Sequence, residues 1–190
     1  MKTKLARVIS IIGHPLLTIS VLVIFLTHQL LSSRQANWIS GIIIFGVTIP
    51  ITLYNLVKMR RGKFANFDVS NQQERKGFYP FAIGLMLALT FYFYFTQGQT
   101  PLVLSCLCFL LMLLFFGLLN LRIKASLHAG INFYIAFILL HYAKAWGIPM
   151  LLFAFLILIS RKMLQRHSWL ELICGAILGS ITGLVNGHFL

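Results

Sequence analysis

Acidic residues are nearly missing from this 190-residue chain, whose only three are Asp68, Glu74 and Glu171. Charged residues of both signs make up 10% and hydrophobic ones 59%, where soluble domains average about a quarter and about a half. That is too little polar surface to clothe a water-soluble globule. Three acids, with no His-x-x-x-His or Cys–His ligand pair beside them, give no ligand set for a metal-ion transporter. Cysteine is equally scarce. Cys106, Cys108 and Cys174 all fall inside apolar runs and read as small packing residues. No low-complexity stretch or internal repeat stands out, so a single domain over residues 1–190 is expected, with no linker.

What is abundant is apolar sequence and positive charge. Seven segments are apolar enough to be read as membrane-spanning: 8–31, 38–57, 79–97, 101–121, 127–143, 147–160 and 169–186. A tight turn, Gly98-Gln99-Thr100, joins the third and fourth. All seven must be helical, because an unpaired strand edge cannot face lipid. The segment 147–160 is the shortest, so an all-α polytopic bundle of six or seven helices is expected. Lys2, Lys4 and Arg7 precede the first run, but that run is too long for a signal-peptide core and lacks a cleavage site, so it should stay attached. Trp38, Trp146 and Trp169 sit at span ends, where interfacial aromatics belong. Pro15 should kink the first span, and His14 beside it is given no chemical role.

Sixteen Lys and Arg give a net charge of +13. They lie in short segments between apolar runs, which disfavours nucleic acid as a partner. Anionic lipid headgroups and phosphorylated substrates account for them better. Threading the chain through seven spans puts segments 1–7, 58–78, 122–126 and 161–168 on one face. That face carries fourteen of the sixteen; Arg34 and Lys144 alone fall opposite. Basic flanking segments stay in the cytoplasm, so this face is predicted to be cytoplasmic, in the inner membrane.

The scarce acids lie on the same face. Glu171 opens the last span, and His167 stands one helical turn before it, so their side chains share a helix face. A carboxylate beside a histidine fixes its tautomer and raises its basicity; by itself the pair could equally be a structural ion pair or two metal ligands. The surrounding string is Ser160-Arg161-x5-His167-x3-Glu171-x3-Gly175-x3-Gly179. Upstream on this face are Lys124-x-Ser126-x-His128-x-Gly130 and Asp68-x6-Arg75-Lys76.

These strings resemble the three motifs of the type-2 phosphatidic acid phosphatase superfamily, in a divergent bacterial form. Residues 160–179 follow its third motif, Ser-Arg-x5-His-x3-Asp with spaced glycines, with Glu171 in place of Asp. Ala125-Ser126-Leu127-His128 is similar to its Pro-Ser-Gly-His motif at Ser and His. Arg75 matches its Lys-x6-Arg-Pro motif, while Asp68 replaces the lysine and Lys76 the proline; Lys124 is read as standing in for that lysine. The motif-bearing core is about 58–188.

The resemblance implies a membrane lipid-phosphate or lipid-pyrophosphate phosphatase working through a phosphohistidine, with no metal or cofactor. His167 would be the nucleophile, His128 the acid that protonates the leaving group, and Glu171 the support for His167. Arg75, Lys124, Ser126 and Arg161 would bind the phosphate. Phosphoryl transfer needs such fixed donors around the equatorial oxygens, and arginine's planar fork suits phosphate. The alternative is a non-catalytic phospholipid-binding or transport protein on the same scaffold. His28, His141 and His188, towards the other face, are expected to be buried or interfacial polar residues. Well-known members of the family carry the site on the periplasmic or lumenal side, against the charge-based orientation.

Overall fold

The computed structural model describes residues 2–98 and 100–190, so Gln99 of the expected turn lies outside the described residues. Among them there is no strand. The helices are α1 Lys2–Ile12, α2 Pro15–Leu30, α3 Ser33–Ile43, a π-helical turn Ile44–Thr48, α4 Ile49–Arg60, α5 Gln72–Gln97, α6 Pro101–Leu119, α7 Leu127–Tyr142, α8 Lys144–Met163 and α9 Trp169–Gly187. Five are long and apolar enough to cross a membrane, with α3 to α4 taken as one; α1 and α2, bent by 43°, make a sixth when taken together. The protein is an all-helical polytopic bundle. Its five or six helices of crossing length, plus the shorter apolar α7, stand against the expected six or seven.

The weak segment is not the one the sequence points to. The run 147–160 belongs to α8, which has 20 residues and extends about 30 Å. The sequence reading starts at Gly147, after Lys144-Ala145-Trp146, and stops before Arg161, because charge and an interfacial tryptophan mark the ends of an apolar run. The helix itself continues through Arg161, whose guanidinium is buried and bonded to Ser10 Oγ at 2.8 Å. The short element is α7, whose 16 residues extend about 24 Å. Eleven of those sixteen are buried, so α7 is lined by protein along most of its length and has less need of a full apolar span.

Within the expected single domain the chain forms two compact units, residues 20–120 and residues 1–19 with 121–190. In the first, α5 packs on α6 and on the π-helical turn. Gly117 of α6 lies against the ring of Tyr79, and the Tyr54 and Phe81 rings stack at 4.2 Å. The connection between α4 and α5 is tied down by side chains. Asn55 Nδ2 donates to the Phe67 carbonyl, the Ala65 amide donates to Glu74 Oε1, and Asn66 Oδ1 accepts from both the amide and the hydroxyl of Ser70. Gln72 and Asn120 exchange side-chain to carbonyl bonds at 2.7 and 3.1 Å.

The second unit centres on α7, which packs against α8 and α9, while α1 packs on α8. Its apolar core joins Ala129, Phe133, Ala154, Leu158 and Leu172. The spaced glycines of α9 explain its closeness to α7. A Cβ at Gly175 would meet the Ser126 carbonyl oxygen at 2.5 Å, one at Gly183 the Tyr134 oxygen at 2.5 Å, and one at Gly179 would overlap the Gly130 carbonyl. Small residues at four-residue steps let two backbones touch where lipid supplies no hydrophobic drive. The residues of α9 meet those of α7 in increasing order, so the two helices run parallel with their N-termini at one end. Six of the seven candidate residues belong to this unit, and Ser126, His128, His167 and Glu171 lie at that end.

Candidate active site

Residues 160–171 form one continuous piece of local geometry. Arg161 is third from the end of α8, and Gln165, just past that end, has φ +53. The Gln165 amide donates to the Lys162 carbonyl at 3.0 Å and the Arg166 amide to the Arg161 carbonyl at 3.1 Å, a left-handed cap that satisfies two terminal carbonyls. After one more residue the chain enters α9 with Ser168 as its N-cap. Ser168 Oγ accepts the Glu171 amide at 3.3 Å, and Glu171 Oε2 accepts the Ser168 amide at 3.2 Å. The five-residue spacing between Arg161 and His167 is therefore the length of a helix end, a left-handed turn and the approach to the next cap.

The same carboxylate oxygen holds His167, whose Nδ1 donates to it at 2.8 Å. Nδ1 carries the proton, so the neutral imidazole has its lone pair on Nε2. Glu171 thus does two things at once, and this accounts for glutamate where the resemblance gives aspartate: at the third helical position only Glu or Gln closes the reciprocal cap. Lys124 Nζ lies 3.9 Å from the same oxygen, and the side chains of Lys124 and Glu171 are 22% and 21% exposed while that of His167 is fully buried. A positive charge and a carboxylate meet at the rim, with the imidazole beneath them.

Ser126 joins this end of α9 to α7. Its amide donates to the Glu171 carbonyl at 2.9 Å, and its Oγ caps α7 by accepting the Ala129 amide at 3.4 Å. A hydroxyl that accepts in a cap still has a hydrogen to donate. His128 is the second residue of α7 and is buried. The N-termini of α7 and α9, each a positive dipole end suited to an anion, are held together by this one backbone bond.

Six of the seven expected site residues belong to this unit: Lys124, Ser126, His128, Arg161, His167 and Glu171. Lys124, Ser126, His167 and Glu171 are joined by direct contacts. His128 follows Ser126 on the first turn of α7, and Arg161 is held against α1. Arg75 belongs to the other unit, where it is buried and its Nε donates to the Val69 carbonyl at 2.9 Å. Val69 has φ +48, a left-handed conformation uncommon for a β-branched residue.

Ser10 and Asn132 escaped the sequence reading, and His14, which it named but gave no chemical role, lies beside His128. Ser10 accepts a hydrogen bond from Arg161. The His14 and His128 rings stand 5.1 Å apart at 85°. Asn132, fully buried, donates to the Gly13 carbonyl at 2.9 Å and to the His128 carbonyl at 2.8 Å. The available signal was Ser10-x3-His14, two polar residues one helical turn apart in an apolar run. His141, in the last turn of α7, and His188, just past the end of α9, form a separate pair of exposed rings 5.0 Å apart.

No family model, curated protein or solved structure matches this chain.

Proposed function

We propose that this protein is a membrane phosphatase acting on lipid phosphates or lipid pyrophosphates through a phosphohistidine, without a metal. The observation that carries the proposal is the 2.8 Å contact between His167 Nδ1 and Glu171 Oε2. A histidine whose proton is committed to a carboxylate presents the opposite nitrogen as a nucleophile. Beside the pair stand Lys124, 3.9 Å from the same carboxylate oxygen, and two helix N-termini, with a buried Arg161 in the same unit: positive, preorganised groups of the kind a transferring phosphoryl group requires.

The steps balance as follows. The Nε2 lone pair of His167 attacks phosphorus, the bond from phosphorus to the lipid oxygen breaks, and His128 gives its proton to that oxygen. Water then attacks the phosphohistidine, surrendering a proton to His128 while the P–N bond breaks. Inorganic phosphate leaves and both histidines return to their starting states. Glu171 steadies the positive charge that His167 acquires while phosphorylated. By the charge argument the site opens to the cytoplasm, where its substrate would be inner-leaflet lipid.

Detergent-purified protein should release phosphate from at least one member of a panel of lipid phosphates and lipid pyrophosphates, equally with and without EDTA. A brief reaction with radiolabelled substrate should leave acid-labile label on the wild type and none on His167→Ala. Abolition by EDTA would refute the metal-free chemistry. Retention of a tenth of wild-type turnover by His167→Ala would refute the nucleophile. Saturable lipid-phosphate binding without turnover would point instead to a non-catalytic phospholipid-binding protein.

A further inference from the structure

The break between α1 and α2 is built into the site rather than added to a span. Pro15 has no amide to give, so the ladder is interrupted there. The His14 amide turns to the Ile11 carbonyl at 3.1 Å, and the Leu17 amide to the His14 carbonyl at 2.9 Å. The Gly13 carbonyl, which the Leu17 amide would have served in a continuous helix, is taken by Asn132 of α7 at 2.9 Å. His14 acts as the cap of α2, its Nδ1 accepting the Leu16 amide at 3.3 Å, so a neutral His14 carries its proton on Nε2. Its ring stands nearly perpendicular to that of His128. Asn132 holds both residues from the other side by bonding the His128 carbonyl as well. A Cβ on Gly13 would overlap the Ile157 side chain, so the break is also pinned against α8.

We propose that His14 is a positioning residue for His128: the imidazole at the break of the first span fixes the ring that protonates the leaving group. The inference rests on the phosphatase reading above and goes further, since nothing in the three motifs involves the first span. Two adjacent rings crossed near 90° restrict each other's rotation, and aromatic pairs favour this edge-to-face arrangement. The cap bond to Leu16 fixes the orientation of His14. His128 is therefore braced through its ring by His14 and through its backbone by Asn132.

A brace on a general acid matters only when the leaving group needs a proton. The test compares an aryl phosphate, whose leaving group departs as a weak base, with an alkyl lipid phosphate. The variant is His14→Asn, because asparagine is a strong capping residue and keeps the break intact; His14→Ser, also a good cap, replaces it should Asn fail to fold. Turnover of the alkyl substrate should fall roughly tenfold to a hundredfold, the scale of a misplaced catalytic group, with the aryl substrate losing much less and KM little changed. In a His128→Ala background the His14 substitution should add no further loss on the alkyl substrate. Equal losses on both substrates, or additive losses in the double variant, would reduce His14 to a structural cap. No loss on either would make it a bystander. A wild type that releases phosphate from neither substrate would overturn the phosphatase reading and this inference with it, whereas an active wild type with an indifferent His14 variant would overturn this inference alone.

Discussion

Gly179 of α9 and Gly130 of α7 approach so closely that a Cβ on the first would overlap the carbonyl oxygen of the second. Backbone cannot swing aside as a flexible side chain can, so the helices must separate if Gly179 gains a methyl group. Gly179→Ala should therefore destabilise the protein by about 1–3 kcal/mol, the usual range for overpacking, as read from its thermal midpoint in detergent. Gly84 of α5 provides the control, since nothing lies within 4 Å of a Cβ there, and Gly84→Ala should stay within about 0.5 kcal/mol of wild type. Matching midpoints for the two variants would show that α7 and α9 are not in tight contact.

Glu171 separates two roles that different substitutions can isolate. Glutamine at this position can still close the cap with Ser168, so Glu171→Gln should fold normally. It loses the charge that supports His167, and phosphate release should fall by about 2–4 kcal/mol in barrier, the worth of one preorganised electrostatic partner. Aspartate keeps the charge but is one methylene short of the Ser168 amide. Glu171→Asp should lose about 0.5–1.5 kcal/mol of stability, one hydrogen bond's worth, and less activity than the glutamine variant. Wild-type turnover by Glu171→Gln would remove the carboxylate from the chemistry.

Gln165 tests the turn that spaces Arg161 from His167. A non-glycine residue in the left-handed region is disfavoured by about 1–2 kcal/mol, and Gln165 sits there with φ +53. Gln165→Gly should raise the thermal midpoint by an amount corresponding to about 1 kcal/mol, because glycine adopts this conformation without a Cβ clash. Gln165→Val should lower it. Phosphate release by the glycine variant should match wild type, since the contact described for Gln165 is made by its backbone amide, which glycine keeps. A lower midpoint for Gln165→Gly would contradict the left-handed turn.

How much of this could be read in the sequence depended on range. The helical class followed from composition, and the contact of His167 with Glu171 followed from their four-residue spacing, since both are local properties; the shared helix face did not, because His167 lies just before the N-cap Ser168 and meets Glu171 across it. The direct link between α7 and α9 was not local: Ser126 and Glu171 meet through a backbone bond, to which side-chain identity contributes nothing. The glycines at 175 and 179 were visible as spacing, but their partner helix was not. His14 was passed over because a histidine before a proline in an apolar run reads as a kink, and only the contacts of the Gly13-His14 break with Asn132 and His128 of α7 turn the kink into a neighbour of His128. The length of α8 was misjudged for a related reason. A buried arginine ends an apolar run on paper, yet one bonded to Ser10 of a packed neighbour need not end a helix.

The last prediction concerns which side of the membrane the site faces. Lys2, Lys4, Arg7, Lys58, Arg60, Arg61 and Lys63 lie outside every motif, yet threading the sequence through seven spans assigns all of them to the same face as segments 122–126 and 161–168. Their charge cannot be attributed to substrate binding, and short basic flanks are the segments that fix orientation. The site should accordingly face the cytoplasm, although the resemblance to lipid phosphatases points outward. Single cysteines at Gln73 and Ser33, on a background without Cys106, Cys108 and Cys174, report the two faces. Both positions are exposed, whereas the neighbouring Gln72 is half-buried and bonded to Asn120. In intact cells a membrane-impermeant thiol reagent should label position 33 and spare position 73 until the cells are opened. The reverse pattern would place the histidines outside and make the basic flanks an exception that some other feature of the chain must overcome.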